Sequence, residues 1–175
     1  MKAIELPTPE RLHELFELRD GVLYRRVSTS SNACAGARAG NPHKGYLRVK
    51  VDRRSYRAHR LIWVMCHGPI PDGMEVDHID HNPTNNRTEN LRLATNAENG
   101  RNRRGAQSNS RSGIRGVCLH RDGGWQAKVQ VDGREINRYF KSKIAAVIFV
   151  DLIRTKYFGD FYSSPVTPGL AELLA

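Results

Sequence analysis

The sequence predicts an α+β protein made of two small modules joined by a linker. Its 175 residues suit one compact domain or two small ones with thin cores. Short strand-like runs bounded by turn residues alternate with a few helical patterns along the chain. A stretch rich in Gly, Ser, Asn and Arg, "GRNRRGAQSNSRSG", holds almost no apolar residue. We place a basic, flexible linker there, at about 105–112.

The charge balance predicts a polyanionic partner. The chain has 28 Lys and Arg against 18 Asp and Glu, a formal net charge of +10 and a pI near 9.9. A membrane is disfavoured, because no apolar run approaches the ~20 residues of a spanning helix and no basic amphipathic helix is evident. Nucleic acid is the better candidate.

The amino terminus and the cysteines predict a cytoplasmic protein. "MKAIELPTPERLHELFEL" lacks the apolar segment and cleavage site of a signal peptide. Cys34, Cys66 and Cys118 form no C-x-x-C pair, so we expect neither a disulfide framework nor a structural zinc. We interpret them as buried or incidental thiols.

The residues that precede the motif core at about 73–104 predict a small β-rich extension. A short amphipathic helix is expected over 8–19, a strand over "GVLYRRV", and a hairpin over 45–60 that turns near Asp52 and Arg53. Residues 44–60 contain seven basic side chains and one acid, a net charge of +6. The expected contacts with a DNA backbone are Arg48, Lys50, Arg53, Arg54 and Arg57.

A buried helix is expected next, over "HRLIWVMCHG", which ends at Gly68-Pro69. We interpret His59 and His67 there as core or capping residues. A Pro-Asp-Gly turn then leads into a strand in which Met74 and Val76 share one face.

The segment "VDHIDHNPTNNRTENLRLATNAENG" predicts chemistry. Thr95 and Glu98 have capping-box spacing, so the order is strand, loop, strand and helix. Asp77, His78 and Asn99 could then converge. A carboxylate and an amide oxygen suit Mg²⁺, and a neighbouring histidine can take a proton from water near neutral pH. Phosphodiester hydrolysis needs those parts.

These residues, in this order, resemble the ββα-metal motif of HNH endonucleases of the phage and intron-encoded homing branch. The resemblance implies an HNH nuclease domain over 1–104 with its core at about 73–104. It implies that Asp77 and Asn99 bind one Mg²⁺ or Mn²⁺, that His78 is the general base, and that Asn90 holds the loop and the histidine in place. The final histidine of the family name is Asn99 here, a known variant.

The resemblance raises one geometric condition and has one alternative. Adjacent strand residues face opposite sides, so Asp77 and His78 can meet one metal only where the strand ends or bulges, which we expect. The alternative interpretation is an Asn-rich turn with Asp and Asn caps. It accounts for Thr95 and for Asn82 or Asn86, but not for the whole ordered set.

The carboxy-terminal part predicts three antiparallel strands and a covering helix that ends at Gly159. Gln126, Lys128 and Gln130 alternate with apolar residues and would form a polar face opposite the helix. Residues 99–141 contain ten basic side chains and three acids, a net charge of +7 that suits phosphates. The residues interpreted as core are Tyr139, Phe140, Ile148, Phe149 and Leu152.

"RGV" at 115–117, the Trp125 strand, "GR…YF" and the Ala-rich helix ending in "YFG" resemble the APETALA-type (ethylene-response-factor) DNA-binding domain. The resemblance implies such a domain over 113–162, before a tail at 163–175, with its sheet in the major groove. By position, groove-facing residues would be Arg115, His120, Lys128, Gln130, Arg134 and Ile136, although Cys118 and Ile136 replace the usual Arg and Trp. Our full set of expected DNA contacts here is Arg101, Arg103, Arg104, Arg111, Arg115, His120, Arg121, Trp125, Gln126, Lys128, Gln130, Arg134 and Arg138.

The sequence therefore predicts a divalent-metal DNA endonuclease of a phage or mobile element, acting on double-stranded DNA without a small-molecule cofactor. We expect a monomer or weak dimer. One active site per chain predicts a nick, unless two chains or two encounters cut both strands. The leading alternative is a DNA-binding regulator with a silent nuclease motif. An RNA-binding protein is a third, disfavoured because Trp125 is the only obvious stacking aromatic on the sheet.

Overall fold

The computed structural model describes residues 5–101 and 110–162. They divide into two compact units, one ending at Asn99 and the other beginning at Gly100. The fold is mixed α/β, with four α-helices and several small antiparallel sheets in the described residues. Most of the expected linker lies outside those residues. No described helix has the length and apolar character needed to cross a membrane.

The first unit begins with a helix and a tight hairpin. Helix α1 is Pro9–Leu15, and the Thr8 hydroxyl accepts a hydrogen bond from the backbone of Arg11 at its start. Strands β1 (Phe16–Arg19) and β2 (Val22–Arg25) follow and pair antiparallel. The expected helix over 8–19 is therefore wrong for its last four residues, because the two-residue turn at Asp20 and Gly21 makes them a strand.

A three-stranded sheet and a buried helix come next. Strands β3 (Asn41–His43), β4 (Tyr46–Val51) and β5 (Arg54–Arg57) lie in that order. The expected turn at Asp52 and Arg53 is confirmed, with φ of 45° and 67°. Helix α2, Ala58–His67, packs Leu61, Ile62 and Val64 into the core, each at most 2% exposed. Burying each such side chain contributes about 1.5–3 kcal/mol to folding.

A second hairpin follows, and then a short helix whose last two residues belong to the second unit. Strand β6 is Met74–His78, strand β7 is Leu91–Thr95, and helix α3 is Asn96–Arg101. The capping box is confirmed: Thr95 N donates to Glu98 Oε2 (2.8 Å), and Glu98 N donates to Thr95 Oγ1 (3.3 Å). The expected order of strand, loop, strand and helix is thus present.

The second unit is the expected sheet with its covering helix. Strands β8 (Val117–Leu119), β9 (Trp125–Val131) and β10 (Arg134–Phe140) lie in the order β10-β9-β8. Helix α4, Lys143–Phe158, covers one face and ends at Gly159.

Ala127, Val129, Ala146 and Val150 form the centre of that core. Phe140 and Phe149 pack against it as expected. Two other expected core residues are not buried, since Tyr139 is 52% exposed and Leu152 56% exposed.

Two sequence-based expectations need correction here. Ile136, expected to face a DNA groove, packs against the core of the second unit, because it pairs directly with Val129 and so faces α4. The interpretation of the cysteines as buried is wrong: Cys34, Cys66 and Cys118 are free and exposed.

Candidate active site

The β6-β7 hairpin distributes the candidate residues over two faces. Its antiparallel pairing is regular, with Asp77 opposite Arg92 and His78 opposite Leu91. The strand runs through both residues and ends only after His78, so the expected strand end or bulge that would turn Asp77 and His78 to one side is absent from this pairing. Asp77 therefore shares a face with Glu75, and His78 shares the buried face with Val76.

On the first face, Asp77 forms an ion pair with Arg92. Arg92 Nε lies 3.3 Å and Nη2 3.2 Å from Asp77 Oδ2. The side chain of Asp77 is only 11% exposed and that of Arg92 only 14%. A carboxylate with so little exposure needs such a partner, because burial of an unpaired charge is unfavourable.

Helix α3 brings Asn99 to the same side of the hairpin. Asn99 Nδ2 donates a hydrogen bond of 2.6 Å to Glu75 Oε2. Glu75 lies two residues before Asp77 and therefore on the same strand face. The structure thus places a helix amide beside the strand that carries the carboxylate.

The donor set on this face fits a divalent metal. Asp77 and Asn99 supply a carboxylate and an amide oxygen, which are hard ligands, and Mg²⁺ typically uses one or two carboxylates and keeps several waters. Within residues 5–101 and 110–162, no three His, Cys, Asp or Glu side chains are grouped as a metal site. A metal on this face would therefore depend on Asp77, Asn99 and water.

On the buried face, His78 lies among polar and aromatic side chains. Its Nε2 is 2.9 Å from Asn86 Oδ1 in a buried contact. The ring of His59 stands edge-on to it with centroids 4.7 Å apart, and the Tyr46 ring lies at 6.3 Å. The imidazole is thus restrained from several directions.

His59 is a core histidine, as expected from the sequence. It is 3% exposed, and burial lowers its pKa to about 3, with smaller contributions from His78, Arg57 and Arg60. His59 is therefore neutral at physiological pH, and it contacts His78 without adding a charge beside it.

The loop between β6 and β7 is held by hydrogen bonds of the Asn90 side chain. Asn90 Nδ2 donates to Asp80 Oδ1 (2.9 Å) and to Asn85 O (2.8 Å), and Asn90 Oδ1 accepts from Asp80 N (3.0 Å). Burial raises the pKa of Asp80, but hydrogen bonds from Asn85, Asn82 N and Asn90 outweigh it and leave the pKa below its usual value. Asp80 therefore stays ionised and keeps the loop bonded.

The amino-terminal hairpin supports the same loop. A Cβ atom on Gly21 would lie 2.5 Å from Arg87 N and 2.7 Å from the carbonyl carbon of Asn86. With a φ of +75°, this position favours glycine in any case. Only glycine allows the β1-β2 turn to approach the backbone of Asn86 this closely.

Three contact residues at this site were not singled out from the sequence for these roles. Asn86 was considered only as a turn cap, and Glu75 and Arg92 were not considered. The strand alternation could have placed Glu75 beside Asp77. The partner of His78 could not be predicted, because a loop contact across eight residues follows no periodicity.

The expected DNA-backbone residues of the first unit lie mostly on one sheet face. Arg48 and Lys50 are exposed on β4, and Arg57 pairs directly with Arg48. The guanidinium of Arg57 also lies over the Tyr46 ring, 4.4 Å from its centroid. Arg53 and Arg54, at the turn, are exposed. This face therefore continues through Tyr46 towards His78.

In the second unit, the expected DNA contacts divide between the two faces of the sheet. Gln126, Lys128 and Gln130 lie opposite the α4 side, and Lys128 is 3.6 Å from Glu135. Trp125 packs against the core with Lys143 over its ring. Arg134 and Arg138 pair with Val131 and Ala127 and so lie on the α4 side, at the edge strand.

The remaining expected contacts lie around the ends of the sheet. Arg101 binds Asp132 (2.6 Å), and Arg115 donates to Gly100 O (3.0 Å). His120 lies 3.3 Å from Asp122. Arg111 and Arg121 are exposed. Arg103 and Arg104 lie outside the described residues.

Comparison with known proteins identifies an HNH endonuclease domain. A family model described as HNH endonuclease matches residues 56–101, a range that includes Asp77, His78, Asn90 and Asn99. Protein 3.8 of Escherichia phage T7 is 34% identical over 106 residues, which cover 60% of this chain and 87% of that protein.

Two further similarities are more limited. An HNH endonuclease of Acanthamoeba polyphaga mimivirus is 34% identical over 116 residues, which cover 65% of this chain and 59% of that protein. The solved structure of the HNH homing endonuclease I-HmuI, which binds and cleaves DNA, aligns over 87% of both chains with a TM-score of 0.43 and 20% identity. A superposition at that level carries no detail of this site.

Proposed function

We propose that this chain, which carries an HNH endonuclease domain at residues 56–101, nicks double-stranded DNA, with His78 as the general base and a divalent ion held by Asp77 and Asn99. The observation that supports this most directly is the Asn99–Glu75 hydrogen bond. It brings the amide of α3 to the strand face that carries Asp77. His78 is the last residue of the same strand.

Each part of the chain has a defined task in this proposal. His78 accepts a proton from a water molecule, which then attacks the scissile phosphorus in line with the leaving 3′ oxygen. Asn90 keeps the loop between the strands in shape through Asp80 and Asn85. A divalent ion held by Asp77 and Asn99 would supply positive charge that stabilises the negative charge developing on the phosphate. The products are a 5′-phosphate and a 3′-hydroxyl.

Mg²⁺ or Mn²⁺, one ion per chain, is the proposed metal, because the ligands are a carboxylate and an amide oxygen. We propose that the chain acts as a monomer or weak dimer. A monomer has one site and gives a nick. The phage and viral relatives support an origin in a phage or mobile element. Action in the cytoplasm of a bacterial host is part of the proposal and rests on the sequence alone.

The second unit is proposed to select the DNA sequence as an APETALA-type domain. The polar face opposite α4 carries Gln126, Lys128 and Gln130. Gln reads adenine by two hydrogen bonds, and Lys binds guanine or phosphate. The face with Arg48, Lys50 and Arg57 in the first unit is proposed to bind the DNA backbone near His78.

Incubation of a supercoiled plasmid with Mg²⁺ tests the nuclease directly. The wild type is expected to produce relaxed circles, and His78→Ala and Asp77→Ala are expected to slow this by about 10²–10⁴-fold. Arg19→Ala, which removes an exposed charge paired with Glu17 and lies outside the expected DNA contacts, serves as a control that retains cleavage. If the wild type and the variants all leave the plasmid supercoiled, the chain is a silent DNA-binding regulator and the proposal is wrong.

A further inference from the structure

We propose that Asn86 is a positioning residue which holds His78 in its Nε2–H tautomer and so leaves Nδ1 to accept the proton of the attacking water. This inference rests on the proposed function of His78. It assigns a task to a residue that the HNH motif, as matched above, leaves without one.

The first step is the contact itself. Asn86 Oδ1 lies 2.9 Å from His78 Nε2, and the two residues are 2% and 6% exposed. A carbonyl oxygen only accepts hydrogen bonds, and a neutral imidazole has one nitrogen that donates and one that accepts. Nε2 must therefore carry the hydrogen, and the lone pair of the ring is on Nδ1. A general base needs that lone pair.

The second step is that Asn86 itself cannot easily move. The β1-β2 turn approaches its backbone so closely that a Cβ on Gly21 would be 2.7 Å from its carbonyl carbon. The His78 ring is bounded by His59 at 4.7 Å and Tyr46 at 6.3 Å. The bond between Asn86 and His78 thus joins two side chains that are already confined.

The third step is an unfavourable feature that a purely structural residue would avoid. Asn86 Nδ2 is buried and, within the described part of the chain, has no hydrogen-bond partner. A buried donor without a partner destabilises the folded protein, and an apolar side chain would not incur that loss. The amide oxygen at this place is therefore better explained by its contact with His78 than by packing.

The fourth step separates Asn86 from Asn90. The side chain of Asn90 bonds to Asp80 and to the backbone of Asn85, and so shapes the loop. Asn86 lies within that loop and contacts the imidazole. One asparagine thus holds the loop, and the other orients the histidine ring.

The ¹⁵N chemical shifts of His78 test the tautomer without metal or DNA. The protein is labelled and measured about two pH units above the usual histidine pKa, and the His78 signals are identified by their absence in His78→Ala. The wild type is expected to show a protonated Nε2. Asn86→Ala is expected to give a mixture of tautomers, whereas Asn86→Asp, which keeps an acceptor in place, retains the protonated Nε2.

Plasmid nicking gives the second measurement. Asn86→Ala is expected to lower kcat by about 10–100-fold with KM unchanged, and Asn86→Asp to recover part of this loss. Asn82→Ala, which removes two exposed hydrogen bonds from Thr84 in the same loop, is the control and should retain both values.

A wild-type His78 protonated on Nδ1 would overturn the proposal, since it would mean that the Asn86 amide is reversed and donates to Nε2. An unchanged tautomer in Asn86→Ala would overturn it as well. If the wild type does not nick DNA at all, the proposed function fails, but the tautomer is still measured. The two failures are therefore distinguishable.

Discussion

At the scale of single residues, the histidine beside the proposed base makes folding depend on pH. Because burial lowers the pKa of His59 to about 3, the unfolded chain binds a proton below pH 6.5 that the folded chain does not. The stability that neutral His59 provides is therefore fully present above about pH 6.5 and is lost as the pH falls towards 3. The slope approaches about 1.4 kcal/mol per pH unit.

We expect the free energy of unfolding to fall between pH 6.5 and 4.5 in the wild type and to fall less steeply in His59→Gln. Urea denaturation at several pH values measures both. His67→Gln is the matched control, because His67 lies on the same helix but is exposed. If His59→Gln and His67→Gln show equal slopes, His59 is not the source of the dependence.

The ion pair between Asp77 and Arg92 gives a second prediction at this scale. Arg92→Gln is expected to destabilise the metal-free protein by about 2 kcal/mol, less than a fully buried pair would lose. Mg²⁺ should restore part of this loss, because a bound cation replaces the guanidinium charge next to Asp77. Urea denaturation with and without Mg²⁺ provides the measurement.

The control is Arg19→Gln, which breaks the exposed pair with Glu17 and should cost under about 1 kcal/mol. Its stability should not respond to Mg²⁺ any differently from that of the wild type. Equal losses of stability in the two variants would mean that the Asp77–Arg92 pair contributes no more to folding than an exposed pair does.

At the scale of elements, the β1-β2 hairpin determines where the Asn86 loop can lie. Gly21→Ala places a methyl group within 3 Å of the backbone of Asn86 and Arg87, at a φ of +75°. We expect a loss of about 1–3 kcal/mol and slower plasmid nicking, because the loop must move away from His78.

Gly73→Ala is a matched control for that variant. Gly73 has a φ of +79° but nothing within 4 Å of an added Cβ, so it shares the backbone strain without the collision. It should lose some stability and retain the nicking rate. Similar nicking rates in the two variants would show that the close approach of the hairpin is not needed.

The elements themselves show what a sequence can specify. The capping box at Thr95 and Glu98 determined the start of α3, since the two side chains satisfy the backbone donors of that turn. The segment Phe16–Arg19 was predicted as a helix, because its apolar residues also suit a helical period. The Asp-Gly turn that follows decides for a strand, and it was visible in the sequence.

Long-range contacts were less predictable than elements. The order of Asp77, His78, Asn90 and Asn99 was found from the family resemblance and from local turn chemistry. The contacts of those residues with Arg92, Asn86 and Glu75 depend on strand pairing and loop shape. Turn and period rules contain no such information.

At the scale of the whole molecule, the excess of basic residues predicts strongly salt-dependent DNA binding. Each phosphate that the protein neutralises adds about −0.9 to the slope of log affinity against log salt concentration. Lys128→Ala, on the polar sheet face of the second unit, is expected to reduce the magnitude of that slope by about 1 if Lys128 binds phosphate. Gln130→Ala should leave the slope unchanged and relax the sequence preference instead.

Equilibrium binding of duplex DNA, measured in Ca²⁺ between roughly 50 and 200 mM salt, separates these effects. Lys156→Ala removes the same charge from α4, which covers the other side of the sheet, and should keep the wild-type slope. Sequencing the nicks made in a random-target library then measures the sequence preference. Gln130→Ala should broaden this preference and still nick the plasmid. If Lys128→Ala and Lys156→Ala change the slope equally, charge alone drives binding and the polar face is not the DNA-binding surface.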